Sequence, residues 1–273
     1  MAGFKSGKTP LVKVDEFCRK FNLPNLLVKD ESKNPFGTWK DRRSEVIIKK
    51  AKDELVNKLC IITSGNAGFS LAKFANESDI KTVSIVDLNL SPTIKQVLEE
   101  TCTKVIEANL SEKILESKEI IAVARENDKE VIWDSTNGFH EAYESIIEEL
   151  EKNNPDYLVC PVGSGEAFVG LFNGLQKTKL ETKLIGITPE SNPSFADKLH
   201  TPWTPYSKNI QSILEAGHKI IKLSEDEIHL AFVYAKKFMD CEPSSAVVVG
   251  ALSKLNFKES DRVVIINSGK GLI

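Results

Sequence analysis

One lysine sits in a run whose residue types could do covalent chemistry: Lys29-Asp30-Glu31-Ser32-Lys33-Asn34-Pro35-Phe36-Gly37-Thr38-Trp39-Lys40-Asp41-Arg42. A strand-like segment, Leu26 to Lys29, leads into a turn built on Asn34-Pro35 and Gly37, and Lys40 then stands at a helix start. An amine there, held partly deprotonated by its surroundings, could form a Schiff base with an aldehyde. In isolation the same pattern describes a solvated lysine on a surface helix, so the rest of the chain must decide.

Three more segments carry candidate chemistry, each at the C-terminal end of a predicted strand, where open α/β sheets place their ligand sites. In Ile61-Ile62-Thr63-Ser64-Gly65-Asn66-Ala67-Gly68-Phe69-Ser70, hydroxyls, the Asn66 amide and free backbone N–H groups converge where a strand turns into a helix. Thr63, Ser64, Gly65, Asn66 and Ala67 would suit a carboxylate, or they form an ordinary strand–helix turn with an N-cap. In Leu158-Val159-Cys160-Pro161-Val162-Gly163-Ser164-Gly165-Glu166-Ala167, a glycine turn opens a helix whose N–H groups and dipole could cradle a phosphate. No Gly-Lys-Ser/Thr follows and no full G-x-G-x-x-G is present, so neither an NTP-binding loop nor a dinucleotide fingerprint fits. Glu166 would repel a phosphate if it pointed inward, so its side chain is expected to face away. In Val263-Val264-Ile265-Ile266-Asn267-Ser268-Gly269-Lys270-Gly271, Ser268 stands at a strand's end, able to hydrogen-bond a ring nitrogen, or the segment is a terminal glycine turn.

The elements that would position these groups alternate. Strand-like runs at Leu59–Thr63, Thr82–Val86, Lys104–Ile106, Tyr157–Val162, Lys183–Ile187 and Arg262–Asn267 are separated by helical patterns. The helices are predicted over Ala67–Asn76, Thr93–Thr101, Glu112–Glu126, Glu141–Glu151, Glu225–Phe238 and Ser244–Leu255. Ser91-Pro92 and Ser224 before Glu225-Asp226-Glu227 are helix-start signals. Such alternation predicts an α/β fold of parallel sheets covered on both faces by helices. Residues 190–208, with Pro193, Pro202, Trp203, Pro205 and Tyr206, read as a long irregular loop, either functional or a packing excursion.

Composition bounds the rest. The 273 residues allow one large domain or two smaller ones, and 41% hydrophobic with 27% charged residues is globular. A net charge of −3 leaves no footprint for nucleic acid or anionic lipid, and no apolar run approaches membrane-spanning length. The N-terminal residues lack the apolar core of a signal peptide, which makes the cytoplasm the expected location. Cys18, Cys60, Cys102, Cys160 and Cys241 form no C-x-x-C pair and are expected to be reduced and structural. His140, His200, His218 and His229 show no metal-ligand pattern and are expected on the surface or in loops.

The amine, phosphate cradle, carboxylate loop and hydroxyl together are what pyridoxal phosphate needs from a protein. In motif order the chain resembles the fold-type II pyridoxal-phosphate enzymes, which include threonine synthase, cysteine synthase, threonine dehydratase and the tryptophan synthase β subunit. The resemblance runs from Thr9-Pro10-Leu11 to Gly271-Leu272. It implies that Lys40 is the Schiff-base lysine and that Asn66 contacts the cofactor's phenolic oxygen. Likewise Gly163, Ser164, Gly165, Glu166 and Ala167 would hold its phosphate, and Ser268 would face its pyridine nitrogen. Glu242-Pro243-Ser244-Ser245-Ala246 is similar to the family's Glu-Pro-Ser-Gly/Ala-Ala helix start.

The resemblance implies two three-layer (αβα) sub-domains with the site between them. Residues 1–34 and 133–273 would form the larger, cofactor-binding domain, and residues 35–132 the smaller one with the substrate loop. It implies pyridoxal 5′-phosphate as cofactor, a small amino acid as substrate and a homodimer, with no metal, nucleic acid or membrane partner. Pro155 to Gly163, Phe168-Val169-Gly170-Leu171 and the ending Asn267 to Leu272 lean towards threonine synthase, which converts O-phosphohomoserine to threonine. After Ser135-Thr136-Asn137, however, that enzyme's Asn-Pro-x-Arg-x-Glu-Gly-x-Lys pattern gives way to Asn137-Gly138-Phe139-His140-Glu141-Ala142-Tyr143-Glu144, without the basic residues that could hold a phosphorylated substrate. Cysteine synthase, a serine/threonine dehydratase and a paralogue that has lost catalysis are the alternatives. A neutral hydroxyl at Ser268 is expected to leave the pyridine nitrogen unprotonated, which favours elimination and replacement over transamination.

Overall fold

Runs of valine and isoleucine apolar on both sides require a sheet covered on both sides. The computed structural model, which describes residues 4–110, 115–191, 193–199 and 204–272, builds two such sheets. Among the described residues the strands are β1 (Leu11–Val12), β2 (Leu26–Asp30), β3 (Lys58–Ile62), β4 (Lys81–Asp87), β5 (Lys104–Ala108), β6 (Trp133–Asp134), β7 (Tyr157–Pro161), β8 (Lys183–Pro189), β9 (Lys219–Leu223) and β10 (Val263–Asn267). The helices are α1 (Asp15–Phe21), α2 (Lys40–Asp53), α3 (Asn66–Asn76), α4 (Pro92–Thr101), α5 (Ser117–Asn127), α6 (Glu144–Leu150), α7 (Glu166–Lys177), α8 (Ser207–Glu215), α9 (Glu225–Ala235) and α10 (Pro243–Ala251). None of these helices is long and apolar enough to cross a membrane.

The chain divides into two compact units, the first built mainly on Lys40–Phe139 and the second on Gly7–Trp39 with His140–Lys270. In the first, four parallel strands run in the order β5-β4-β3-β6. Cys60, Val83, Ile85 and Ile106 pack with Ile120 and Ala124 of α5, while Val86 packs with Ala72, Ile94 and Leu98 of α3 and α4.

The second unit holds a six-stranded sheet in the order β1-β2-β10-β7-β8-β9, parallel except for the two-residue β1, which pairs antiparallel with β2. The two-residue period of β10 divides its side chains between two cores. Val263 and Ile265 join α9 and α10 on one face, and Val264 and Ile266 join α6 and α7 on the other. Each such buried side chain contributes about 1.5–3 kcal/mol, so strand and flanking helices stabilise one another.

The predicted strands lie where expected to within a residue or two. The helical pattern over Glu141–Glu151 is split, because a 3₁₀ turn at His140–Tyr143 precedes α6. The pattern over Glu225–Phe238 ends at Ala235, since the chain must turn through Asp240 to open α10 at Pro243. Ser224 forms a full capping box with Glu227, whereas Ser91 precedes Pro92 without a side-chain cap bond. Ser207 already begins α8, so the irregular stretch is shorter than expected. Glu112, His200, Pro202 and Trp203 lie outside the described residues.

His218 lies in the loop between α8 and β9, as expected, and is half-buried there, its Nδ1 accepting from the Leu184 N–H at 2.9 Å. Burial and the nearby Lys183 charge hold it below the usual imidazole range. All five cysteines are buried and free. Burial pushes the Cys60 and Cys241 thiols up to about 12 and raises Cys160 as well, so these are packing groups rather than nucleophiles.

Candidate active site

In the first unit, Lys40 opens α2 and Asn66 opens α3. α2 ends where β3 is about to begin and α3 begins where β3 has ended, so both helices run back against β3 and start at the same end of the sheet. Ser44 and Ser70, each one turn into its helix, share a 2.7 Å hydrogen bond that fastens the two side by side. The first turn of α2 is unusually polar for a buried segment: Asp41, Arg42, Arg43 and Ser44 are all buried around a half-buried Lys40. An Arg43 guanidinium nitrogen donates to the Ser135 carbonyl, and the guanidinium lies 5.5 Å from the Phe139 ring centroid.

The turn before α3 is capped from an unexpected position. Gly65 is the N-cap residue at φ +136°, ψ −83°, a conformation open only to glycine, and a Cβ there would meet Ile94 at 3.0 Å. Thr63, two residues earlier, accepts from the Gly65 N–H at 3.0 Å and the Gly68 N–H at 2.9 Å. Its hydroxyl keeps its own proton to donate. Ser64 is exposed and Ala67 half-buried.

In the second unit, Gly163, Ser164 and Gly165 join β7 to α7. Gly165 is the N-cap at φ +89° and has no side chain with which to cap the helix. The first main-chain bond of α7 runs from the Val169 N–H to the Gly165 carbonyl, so the N–H groups of Glu166, Ala167 and Phe168 lie beyond intrahelical reach. Glu166 is 2% exposed, and its carboxylate accepts from the Tyr206 hydroxyl at 3.0 Å. The Thr204 hydroxyl donates to the Ser164 carbonyl and accepts from the Tyr206 N–H at 3.0 Å. Thr204 and Tyr206, from the stretch read as an irregular loop, thus fasten the glycine turn. The cluster of proline and aromatic residues was the available signal for them.

Ser268 follows β10, which pairs in parallel with β7 through Ile265 and Val159. By that register Ser268 and the glycine turn share the C-terminal edge of adjacent strands. The residues before Lys40 are tied to the same edge. The Trp39 N–H donates to the Ser268 carbonyl at 2.9 Å, Thr38 forms a bridge with Gly269, and the Lys270 N–H donates to the Gly37 carbonyl at 3.0 Å. Upstream, Asp30 accepts from the Ser32 hydroxyl at 2.6 Å and from the Asn267 amide at 2.8 Å. The structure therefore gathers Lys40, Asn66 and residues 63–67 at one end of the first unit, and residues 163–167 with Ser268 at one edge of the second.

These groups fit pyridoxal phosphate: an uncapped glycine-lined helix start for a dianion, a buried hydroxyl for a ring nitrogen, and a lysine amine. The comparisons with known proteins agree. The chain is 25% identical over 290 residues to the threonine synthase of Methanosarcina acetivorans, covering 92% of this chain and 70% of that protein. It is 29% identical over 202 residues to the cysteine synthase of Helicobacter pylori, covering 68% and 65%. Maize serine racemase superimposes with a TM-score of 0.83 at 17% identity, over 98% of this chain and 89% of that one, and shares the fold-type II architecture. With the model described as "Pyridoxal-phosphate dependent enzyme" matching residues 4–269, the chain belongs to that family, and pyridoxal 5′-phosphate is its cofactor.

Proposed function

We propose that the chain is a lyase or synthase performing β- or γ-elimination or replacement on a small amino acid, nearest to threonine synthase, with O-phosphohomoserine converted to threonine. The observation that carries this reading is the Ser44–Ser70 bond. It supports an amine and a carboxylate-binding loop lying at the heads of neighbouring helices, the two groups that an amino-acid substrate calls for. The cofactor, when bound, supplies an aldehyde for the substrate amine and a ring that draws electrons from its α-carbon. Lys40 Nζ would carry that aldehyde between turnovers, then take and return the proton at the α-carbon. The N–H groups from Gly163 to Ala167 would hold the phosphate, Ser268 the ring nitrogen and the Asn66 amide the phenolic oxygen. The Thr63 proton, the Ser64 hydroxyl and the N–H groups of Asn66 and Ala67 would hold the substrate carboxylate, with Gly65 shaping the turn. In this reading the second unit is the cofactor-binding domain and the first is the substrate-loop domain. A homodimeric state and a cytoplasmic location belong to the same reading.

A second reading is favoured by one specific feature. Residues 136–147 contain no lysine or arginine, and Arg43, the buried cation beside them, is engaged by Ser135 and Phe139. An unphosphorylated substrate, as for cysteine synthase or a serine/threonine dehydratase, needs no such cation. Glu166 at the phosphate turn motivates a third, a non-catalytic binding paralogue.

The test is product formation from O-phosphohomoserine, O-acetylserine and threonine in parallel. Threonine from O-phosphohomoserine is expected; turnover of only the other two selects the second reading. A protein left colourless by pyridoxal phosphate and inert towards all three selects the third.

A further inference from the structure

Gly65 shapes the turn that aims the Asn66 and Ala67 N–H groups, yet it has no side chain with which to anchor itself. The freedom that lets glycine reach φ +136° also lets it leave, so contacts from outside the residue must hold it. On its N–H side the anchor is the Thr63 hydroxyl, at 3.0 Å. On its Cα side two side chains close in. A Cβ built on Gly65 would meet Ile94 Cγ2 at 3.0 Å and Leu272 Cδ1 at 3.3 Å. Ile94, in the first turn of α4, is buried with Ala72, Val86, Leu98 and Cys102, and the half-buried Leu272 packs against the same group.

Leu272 reaches this place from no helix or strand. The chain leaves β10 at Ser268, the Lys270 N–H is held by the Gly37 carbonyl, and Gly271 turns the chain at φ +84°. Gly271 and Leu272 then belong to the first unit. We propose that Leu272 is a positioning residue for the substrate: it presses Gly65 against Ile94 and so keeps the Asn66 and Ala67 N–H groups aimed at the substrate carboxylate. This rests on the assignment of residues 63–67 to that carboxylate made above. The force is close packing, which falls away as soon as the partner atoms withdraw. With the Leu272 side chain cut back, Gly65 keeps its Thr63 bond but loses one flank. The donors then drift from the geometry the carboxylate needs, and misplacement by about 1 Å is costly in a binding site.

The experiment loads the full chain with pyridoxal phosphate and titrates it with L-alanine and, separately, with ethylamine, followed by the cofactor's visible absorption. Ethylamine is L-alanine without its carboxylate, so the preference for L-alanine isolates the carboxylate loop. The wild type is expected to prefer L-alanine. In Leu272→Ala that preference should fall roughly tenfold, the worth of one hydrogen bond to a charged group, with ethylamine affinity unchanged. Leu272→Met refills the space and should restore the preference to within about threefold of wild type. Val105→Ala, in β5 against the same apolar group, should lower the unfolding midpoint and leave the preference alone. A preference that survives Leu272→Ala, or that Val105→Ala lowers as much, overturns the proposal. If Thr63→Val still lowers it, the carboxylate loop stands without Leu272. Equal binding of the two probes by the wild type, or a preference that ignores Thr63→Val as well, removes the loop assignment and the proposal with it.

Discussion

Gly65 and Gly165 each stand at the N-cap of a helix that leaves a parallel strand, both at positive φ, +136° and +89°. The two turns differ in what satisfies the helix start. At Gly65, the Thr63 side chain takes the Gly65 and Gly68 N–H groups, and the loop presents a hydroxyl and an amide. At Gly165 no capping side chain is available, and the neighbouring Thr204, Tyr206 and Glu166 brace the turn from its flank. A side-chain-lined loop suits a small carboxylate that must be oriented, and an open helix start suits a phosphate held mainly by backbone N–H groups and the dipole.

Substitutions can break or sharpen that contrast. Gly65→Ala forces an L-residue into a glycine-only conformation against Ile94, and should cost about 2–3 kcal/mol in denaturant unfolding. Thr63→Val leaves two N–H groups without their acceptor and should cost about 2 kcal/mol, with Thr63→Ser close to wild type. Gly165→Ala should cost less than Gly65→Ala, because its backbone lies near the left-handed region and the crowding atom, Ile210 Cδ1, ends a flexible side chain. The reverse order would mean that the second turn is the more constrained. The smallest effect is expected from Glu166→Gln. It keeps an acceptor for Tyr206 while removing a negative charge from the helix start, so cofactor affinity measured by fluorescence titration should rise a few-fold. Unchanged affinity would place the phosphate away from this turn.

Much of this architecture was legible because buried parallel strands leave continuous runs such as Val263-Val264-Ile265-Ile266, and because glycine marks the turns that end them. The half-exposed edge strand β9, Lys-Ile-Ile-Lys-Leu, was not. Its lysines guard a sheet edge and break the apolar run that marks an inner strand. Thr63 was legible as a polar residue in a turn but not as the double acceptor, since a hydroxyl two residues before the N-cap has no simple sequence rule. Ser245 could be quoted from a motif, yet its bond to Ser268 spans 23 residues and exists only because α10 packs against β10. Contacts of that kind are fixed by tertiary packing, which one sequence does not display.

The central claim is that Lys40 is the amine that carries the cofactor. Reduction of the reconstituted protein with borohydride, followed by peptide mapping, tests it directly. The label should fall on Lys40 within Thr38-Trp39-Lys40-Asp41-Arg42 and vanish from that peptide in Lys40→Ala, with turnover lost and the unfolding midpoint retained. Label on any other lysine, or turnover that survives Lys40→Ala, would contradict it.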